Sequence, residues 1–400
     1  MPVSTIEEKR SILNLKERDR RWKVVREEME KRGLECLIVW GSFGRFHHFG
    51  ANIRYLSNLA QEGYIVFPLE HDPTLSLFLA GYYPEPWILD NQTGQPKHSK
   101  LISERLRELH LEKARIGIVE PTSYDVEMGF PHNTYVALTS NFPDAHFEDA
   151  TDILEEARMI KSPAEVRCFE LGCEAAEKVF QAVMDTAKPG VKNSEVKAVI
   201  LDTLFRETGE PCPMLLYSHF SGAGREGFSM IPVWDERILG NGDIITFEVD
   251  ASYLGYIAQF NHAFSLGEPD EEWQKIFDVA VECFNNGLSV LKPGITVGEL
   301  NEVMLAPTKK AGYLKLNPTF HGLGLAIEEP FGSFHAQPSY QPNSARIIKP
   351  GMVLEFEPGG AVVDRTKGIG RGCSLGGPVL VTDTGCRLLS KTWKPGVKII

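Results

Sequence analysis

Two ten-residue stretches constrain this chain more than any other feature: AKPGVKNSEV at 187–196 and LKPGITVGEL at 291–300, with Lys188 and Lys292 offset by 104 residues. Each closes a run whose apolar residues recur every three to four positions, the period of a helix with one buried face. The first run carries Val166, Phe169, Cys173, Ala176, Phe180 and Val183; the second carries Trp273, Ile276, Phe277, Ala280, Phe284, Leu288 and Leu291. A Lys-Pro-Gly turn then stops each helix, since proline cannot donate the next backbone hydrogen bond. Long helix, turn, second helix and strands thus occur twice. Such a duplication predicts two α/β halves about a pseudo-twofold axis, with a site between them.

The preceding residues have a different texture. LKERDRRWKVVREEMEKRG at 15–33 reads as an exposed amphipathic helix with a glycine stop. Strand-like runs follow at Cys36–Trp40, Tyr64–Pro68, Leu75–Leu79 and Ile116–Glu120, with a helix over Leu101–Leu111. Alternating strands and helices predict an α/β domain over 1–155. The second domain, 156–400, opens its first helix at Ser-Pro-Ala-Glu, 162–165, with Ser as cap, Pro at the first helical position and Glu at the third.

Composition narrows the partners. With 42 Lys and Arg against 54 Asp and Glu among 400 residues, the formal charge of −12 repels polyanions, which argues against nucleic acid. No apolar run approaches the roughly 20 residues of a membrane helix, and the first 16 residues lack the pattern of a secretory signal, so a cytoplasmic protein is expected. Seven cysteines occur without CxxC, zinc-type or HExxH spacing, as expected of free thiols in a reducing compartment.

Five segments together carry a resemblance. They are NIRYL at 52–56, RMIKSP at 158–163, GDIITFEVD at 242–250, HGLGLAIEEP at 321–330 and GMVLEFEPG at 351–359. In this order they resemble the creatinase/prolidase/methionine-aminopeptidase family. The resemblance implies a creatinase-like α/β domain followed by a duplicated pita-bread catalytic domain. It also implies a homodimer in which one chain's first domain closes over the other's pocket through Phe46, His47, His48 and Phe49.

Peptidases of that family hold two divalent ions with two Asp, one His and two Glu. The corresponding positions here are Glu248, Gln259, His321, Glu357 and Gly376. Three of the five are altered, and glycine has no side chain to coordinate with, so the expectation is a site without metal or other cofactor. The family's auxiliary histidines fall at Glu328 and Met230. The surviving carboxylates cannot all stay ionised together without a compensating positive charge. The preferred reading is a hydrolase cleaving a C–N bond in a small cationic amidine or guanidinium-like molecule, as metal-free creatinase and ectoine hydrolase do. Glu248, His321, Glu357 and His262 are the candidate catalytic residues. Asp250, Gln259, Glu328, Arg225 and Tyr256 are the candidate substrate contacts. The alternatives are a metal-dependent enzyme of the same fold, whether Xaa-Pro peptidase or lyase, and a non-catalytic binding protein.

GAGREG at 222–227 matches GxGxxG, but no helical pattern follows and Pro232 interrupts, so it reads as a substrate loop in which Arg225 grips a carboxylate. The stretch at 335–338 reads as a loop, with His335 a marginal pocket candidate.

Overall fold

The computed structural model describes residues 11–42, 50–78, 86–93, 97–121, 129–221, 226–229, 237–316, 318–329, 344–364 and 369–400, with backbone alone for 226–229, 363–364 and 369. Two compact units emerge: Arg10–Met159 with Leu325–Phe331, and Ile160–Gly324 with Gly332–Ile400. No helix among the described residues is long and apolar enough to cross a membrane.

In the first unit, helix α1 (Leu15–Arg32) starts where the Asn14 side chain accepts from the amides of Lys16 and Glu17 and ends at Gly33 in the left-handed conformation. A six-stranded sheet follows, with β1 (Cys36–Gly41), β2 (Gly63–Pro68), β3 (Thr74–Leu77), β4 (Asp90–Thr93), β5 (Arg115–Val119) and β6 (His146–Asp149) in the order β4-β3-β2-β1-β5-β6. Ile38, Val66, Ile116 and Ile118 pack against Ile102 and Leu106, which lie in the helix His98–Glu108. The short segment from 325 is held by a buried ion pair: Arg158 Nε donates to Glu329 Oε1 at 2.9 Å, and that oxygen also accepts from the amides of Leu325 and Ala326.

The second unit has the expected duplication. Helix α2 (Pro163–Thr186) begins in the predicted capping box of Ser162 and Glu165, and α3 (Asn193–Thr208) follows the first Lys-Pro-Gly turn. Helices α4 (Glu271–Val290) and α5 (Val297–Ala311) repeat the arrangement. The turns share their hydrogen bonds: the Gly190 amide donates to Leu239 O at 2.8 Å and that of Gly294 to Ile348 O at 3.0 Å, while Asn193 N reaches Arg237 O and Val297 N reaches Arg346 O.

Its strands are β7 (Leu215–Phe220), β8 (Glu226–Ser229), β9 (Ile244–Tyr253), β10 (Tyr256–Ser265), β11 (Phe320–Gly322), β12 (Val353–Phe356), β13 (Gly359–Asp364), β14 (Ile369–Ser374), β15 (Gly377–Val381), β16 (Cys386–Leu388) and β17 (Val397–Ile399). They form sheets ordered β17-β10-β9-β7-β8 and β11-β12-β15-β16, plus the pair β13-β14. The two larger sheets meet where Asn261 and Gly376 exchange backbone hydrogen bonds of 3.1 and 2.9 Å.

Candidate active site

The hairpin β9–β10 turns at Leu254 (φ 50°) and Gly255 (φ 83°), two positive-φ positions of the kind that suit a two-residue connection. Its register sets Asn261 opposite Glu248 and Gln259 opposite Asp250. Opposed residues of an antiparallel pair point to one face, as do alternate residues of a strand. Glu248, Asp250, Gln259 and Asn261 therefore share a face. On the second sheet His321 stands opposite Glu355, and Glu357, two residues beyond, donates its amide to Thr319 O at 3.0 Å.

The polar side chains thus form two rows. The outer row holds Glu248 and Asn261 on one sheet and Glu357 on the other, joined where Asn261 Nδ2 donates to Glu357 Oε2 at 3.2 Å. The inner row holds Asp250 and Gln259 on one sheet and His321 and Glu355 on the other. Glu248 and Asn261 line a cavity of about 300 Å³ with Ser218, Thr246, Arg371 and Ser374, walled by Leu216, Phe220 and Leu316.

Glu357 is pinned from both sides. Asn261 contacts one oxygen, and His321 Nε2 lies 3.5 Å from the other. The amide of Asn261 is itself oriented, since Ser374 Oγ donates to its Oδ1 at 3.2 Å. His321 Nδ1 faces the Gly322 carbonyl at 3.0 Å, which can only accept, so the ring carries its proton there and presents Nε2 to Glu357. That geometry suits movement of a proton between Glu357, His321 and a bound molecule. Burial lowers the Lys315 amine to about 8 although the nearby charge of Glu357 pulls the other way. Arg371 is engaged by Asp270 and Glu272 at 2.7 and 3.1 Å.

The inner row is electrostatically strained. Asp250 and Glu355 are both 0% exposed, and among the described residues neither oxygen of either has a hydrogen-bond partner. Burial, and then the Glu248 charge, pushes the Asp250 carboxyl well above its ordinary range. Burial, then Glu357, Glu248 and Asp250, does the same to Glu355. A carboxyl whose pKa is raised on folding holds its proton more tightly in the native state than in the unfolded chain, so stability is lost as pH rises above about 4. We expect urea unfolding to show a fall in stability as pH rises above about 5, of up to about 1.4 kcal/mol per pH unit for each such group. Glu355→Gln should flatten it, and an unchanged slope in that variant would mean that Glu355 is ionised in the folded protein.

Whether this donor set suits the two-ion centre implied by the resemblance can be tested at Gly376. A Cβ there would lie 2.1 Å from Phe356 O, 2.7 Å from Glu355 Oε1 and 2.9 Å from Glu357 Cα. The backbone has closed over the space where a fifth ligand would be rooted, and Glu355 reaches into it from the neighbouring strand. Gln259 replaces a second ligand. Among the described residues no three His, Cys, Asp or Glu side chains are arranged to hold one metal ion. A two-ion centre does not fit.

Of the sequence-derived candidates, Glu248, Asp250, Gln259, His321 and Glu357 come together. His262 and Tyr256 do not, because both lie on the other face of β10. His262 packs 4.5 Å from the Phe180 ring and accepts from Trp393 Nε1 at 3.1 Å, and burial, then Lys398, lowers its pKa to about 3. It stays neutral in the core. The Tyr256 hydroxyl donates to Glu165 Oε1 at 2.6 Å, tying the hairpin to α2. Glu328 belongs to the segment grouped with the first unit. Arg225, Met230, His335 and the stretch Phe46–Phe49 lie outside the described residues.

Two site residues, Glu355 and Asn261, are missing from that candidate set. Glu355 stands two positions before Glu357, as Glu248 does before Asp250, and strand alternation alone puts each pair on one face. Asn261 follows from counting back across the hairpin from Glu248. Cys373, also at the cavity, is buried with its thiol pKa pushed up, so it is an unreactive group.

Comparison with known proteins agrees with this architecture. Residues 21–160 match the Creatinase/Prolidase N-terminal domain, and residues 167–383 match Metallopeptidase family M24. The chain is 24% identical to the Xaa-Pro dipeptidase of Pyrococcus furiosus, over 69% of this chain and 74% of that one. It is 24% identical to the ectoine hydrolase of Halomonas elongata, over 65% of each. The crystal structure of X-Pro aminopeptidase from Thermotoga maritima superposes with a TM-score of 0.75 at 19% identity, covering 95% of this chain and 99% of that one, which is a likeness of fold.

Proposed function

The chain belongs to metallopeptidase family M24, and on that premise we propose that it hydrolyses a C–N bond in a small substrate that presents a positive centre to Glu248 and Glu357. The observation that carries this reading is the concentration of carboxyl groups from two sheets, two of them buried with no hydrogen-bond partner for either oxygen among the described residues. Removing such groups from water is costly unless they are paired, and a cation entering from the cavity would supply the partner. Amidinium and guanidinium groups suit two facing carboxylates because their planar N–H donors can bond to both at once. The His321–Glu357 pair is then positioned to take a proton from attacking water and return it to the leaving nitrogen. The apolar wall of Leu216, Phe220 and Leu316 suits the uncharged part of the molecule.

The relatives support a second reading, a metal-dependent peptidase of Xaa-Pro type, since two of the similar proteins bear that name. The donor set speaks for the first reading and the names for the second. Metal analysis of the purified protein, with hydrolysis of cationic amidines and of Xaa-Pro dipeptides measured before and after chelation, separates them. The first reading expects less than about one equivalent of transition metal and chelator-resistant activity. Two tightly bound ions per chain, with activity on dipeptides lost on chelation, would establish the second.

A further inference from the structure

Resting on the cation-site reading, we propose that the substrate is an amidine or guanidine bearing a branched-alkyl or aryl group and no carboxylate, with its charged end at Glu248 and its apolar end against Leu216, Phe220 and Leu316. Among the described residues that line the cavity, Glu248 is the one carboxyl group and Arg371 the one base. Arg371 is already matched. Its Nη1 lies 2.7 Å from Asp270 Oδ2 and 3.1 Å from Glu272 Oε2, and its guanidinium stands 5.8 Å from the centre of the Trp273 ring. Asp270 is fixed in turn, because as the cap of α4 it accepts from the amides of Glu272 and Trp273 at 3.1 and 2.9 Å. One positive charge thus faces two carboxylates before any ligand arrives. An incoming carboxylate would have to displace those partners or meet their like charge. Ser218 and Thr246 add hydroxyls to the lining but no charge.

The apolar wall is placed by strand register. Leu216 stands opposite Glu248, and alternation along β7 puts Phe220 on the same face. Phe220 meets Trp273 edge-on at 4.9 Å, and Trp273 is stacked on Phe277 at 5.5 Å, so the core holds this side of the cavity in place. Leu316 closes over Gly372, where an added Cβ would come within 2.7 Å of its Cδ1. The cavity of about 300 Å³ has room for about ten non-hydrogen atoms, each taking about the 30 Å³ of a water molecule. A methylguanidinium would fill about half of that and leave the apolar wall in contact with water. A ring or branched chain beside the charge covers the wall and gains the free energy of its burial.

The test is calorimetric titration of the full-length protein, at neutral pH and fixed ionic strength, with four probes. They are 4-methylpentylguanidine, methylguanidine, 4-guanidinobutyrate, which has the shape of the first with a carboxylate in place of its isopropyl group, and 4-methylpentylurea, which has that shape without the charge. We expect 4-methylpentylguanidine to bind at least about ten-fold more tightly than each of the others. Leu316→Asn, at an exposed position where folding should survive, should lower the ratio of its affinity to that of methylguanidine at least about five-fold. Equal affinity for the two alkylguanidines, or an unchanged ratio in that variant, would overturn the inference and leave the cation site standing. Equal or tighter binding of 4-guanidinobutyrate would overturn it by assigning Arg371 to a carboxylate. Binding of the urea as tight as that of its guanidine, or failure of all four probes to bind, would overturn the cation-site reading along with it.

Discussion

Glu357→Gln should lower kcat/KM by about 10²- to 10⁴-fold, the largest functional effect expected from a single substitution in this site. The change removes one negative charge while keeping shape and hydrogen-bonding capacity. Asn261 Nδ2 at 3.2 Å can still donate to the new amide oxygen, so the local packing should survive. What disappears is the basic oxygen facing His321 Nε2 at 3.5 Å. If Glu357 moves a proton, the loss will fall mainly on kcat. If it only balances a cationic substrate, the loss will fall on KM, by about 2–5 kcal/mol, the cost of leaving one member of a buried charge pair alone. Unaltered kinetics would remove Glu357 from the chemistry, and with it the arrangement of the outer row.

Gly376→Ala should destabilise the protein by about 3 kcal/mol, toward the upper end for inserting an atom into packed surroundings. The added Cβ would meet Phe356 O at 2.1 Å, a backbone atom that cannot move without breaking the pairing of β12 with β15. It would also press on Glu355 Oε1, so the inner row should be disturbed along with the fold. Gly376→Glu, which restores the residue type of the two-ion peptidases, should be at least as unstable and should gain no bound metal. Chemical denaturation and metal analysis of both variants check this. Wild-type stability in Gly376→Glu would show that the strands can part there and reopen the metal-dependent reading.

Local rules make much of the chain legible from its residue order. The stripe from Val166 to Val183 and the Ser162 capping box predict a helix that runs over Pro163–Thr186, because periodicity and capping are properties of neighbouring residues. The repeated Lys-Pro-Gly turns reveal the duplication, whose two copies make equivalent hydrogen bonds to Leu239 and Ile348. Glu248 and Asp250 share a face by alternation, and so do Glu355 and Glu357.

Residue order therefore specifies the long helices of the second unit, the doubled architecture and the pairing of acids on strands. Tertiary structure alone decided which faces meet. Neighbours along β10 point to opposite sides, so Asn261 enters the pocket and His262 enters the core against Phe180, although both are polar and adjacent. A shift of one residue in register would exchange them, and register is set by pairing with distant strands. The same holds at Gly376: its closure against Phe356, and the entry of Glu355 into that space, depend on strands that only the folded chain brings into contact.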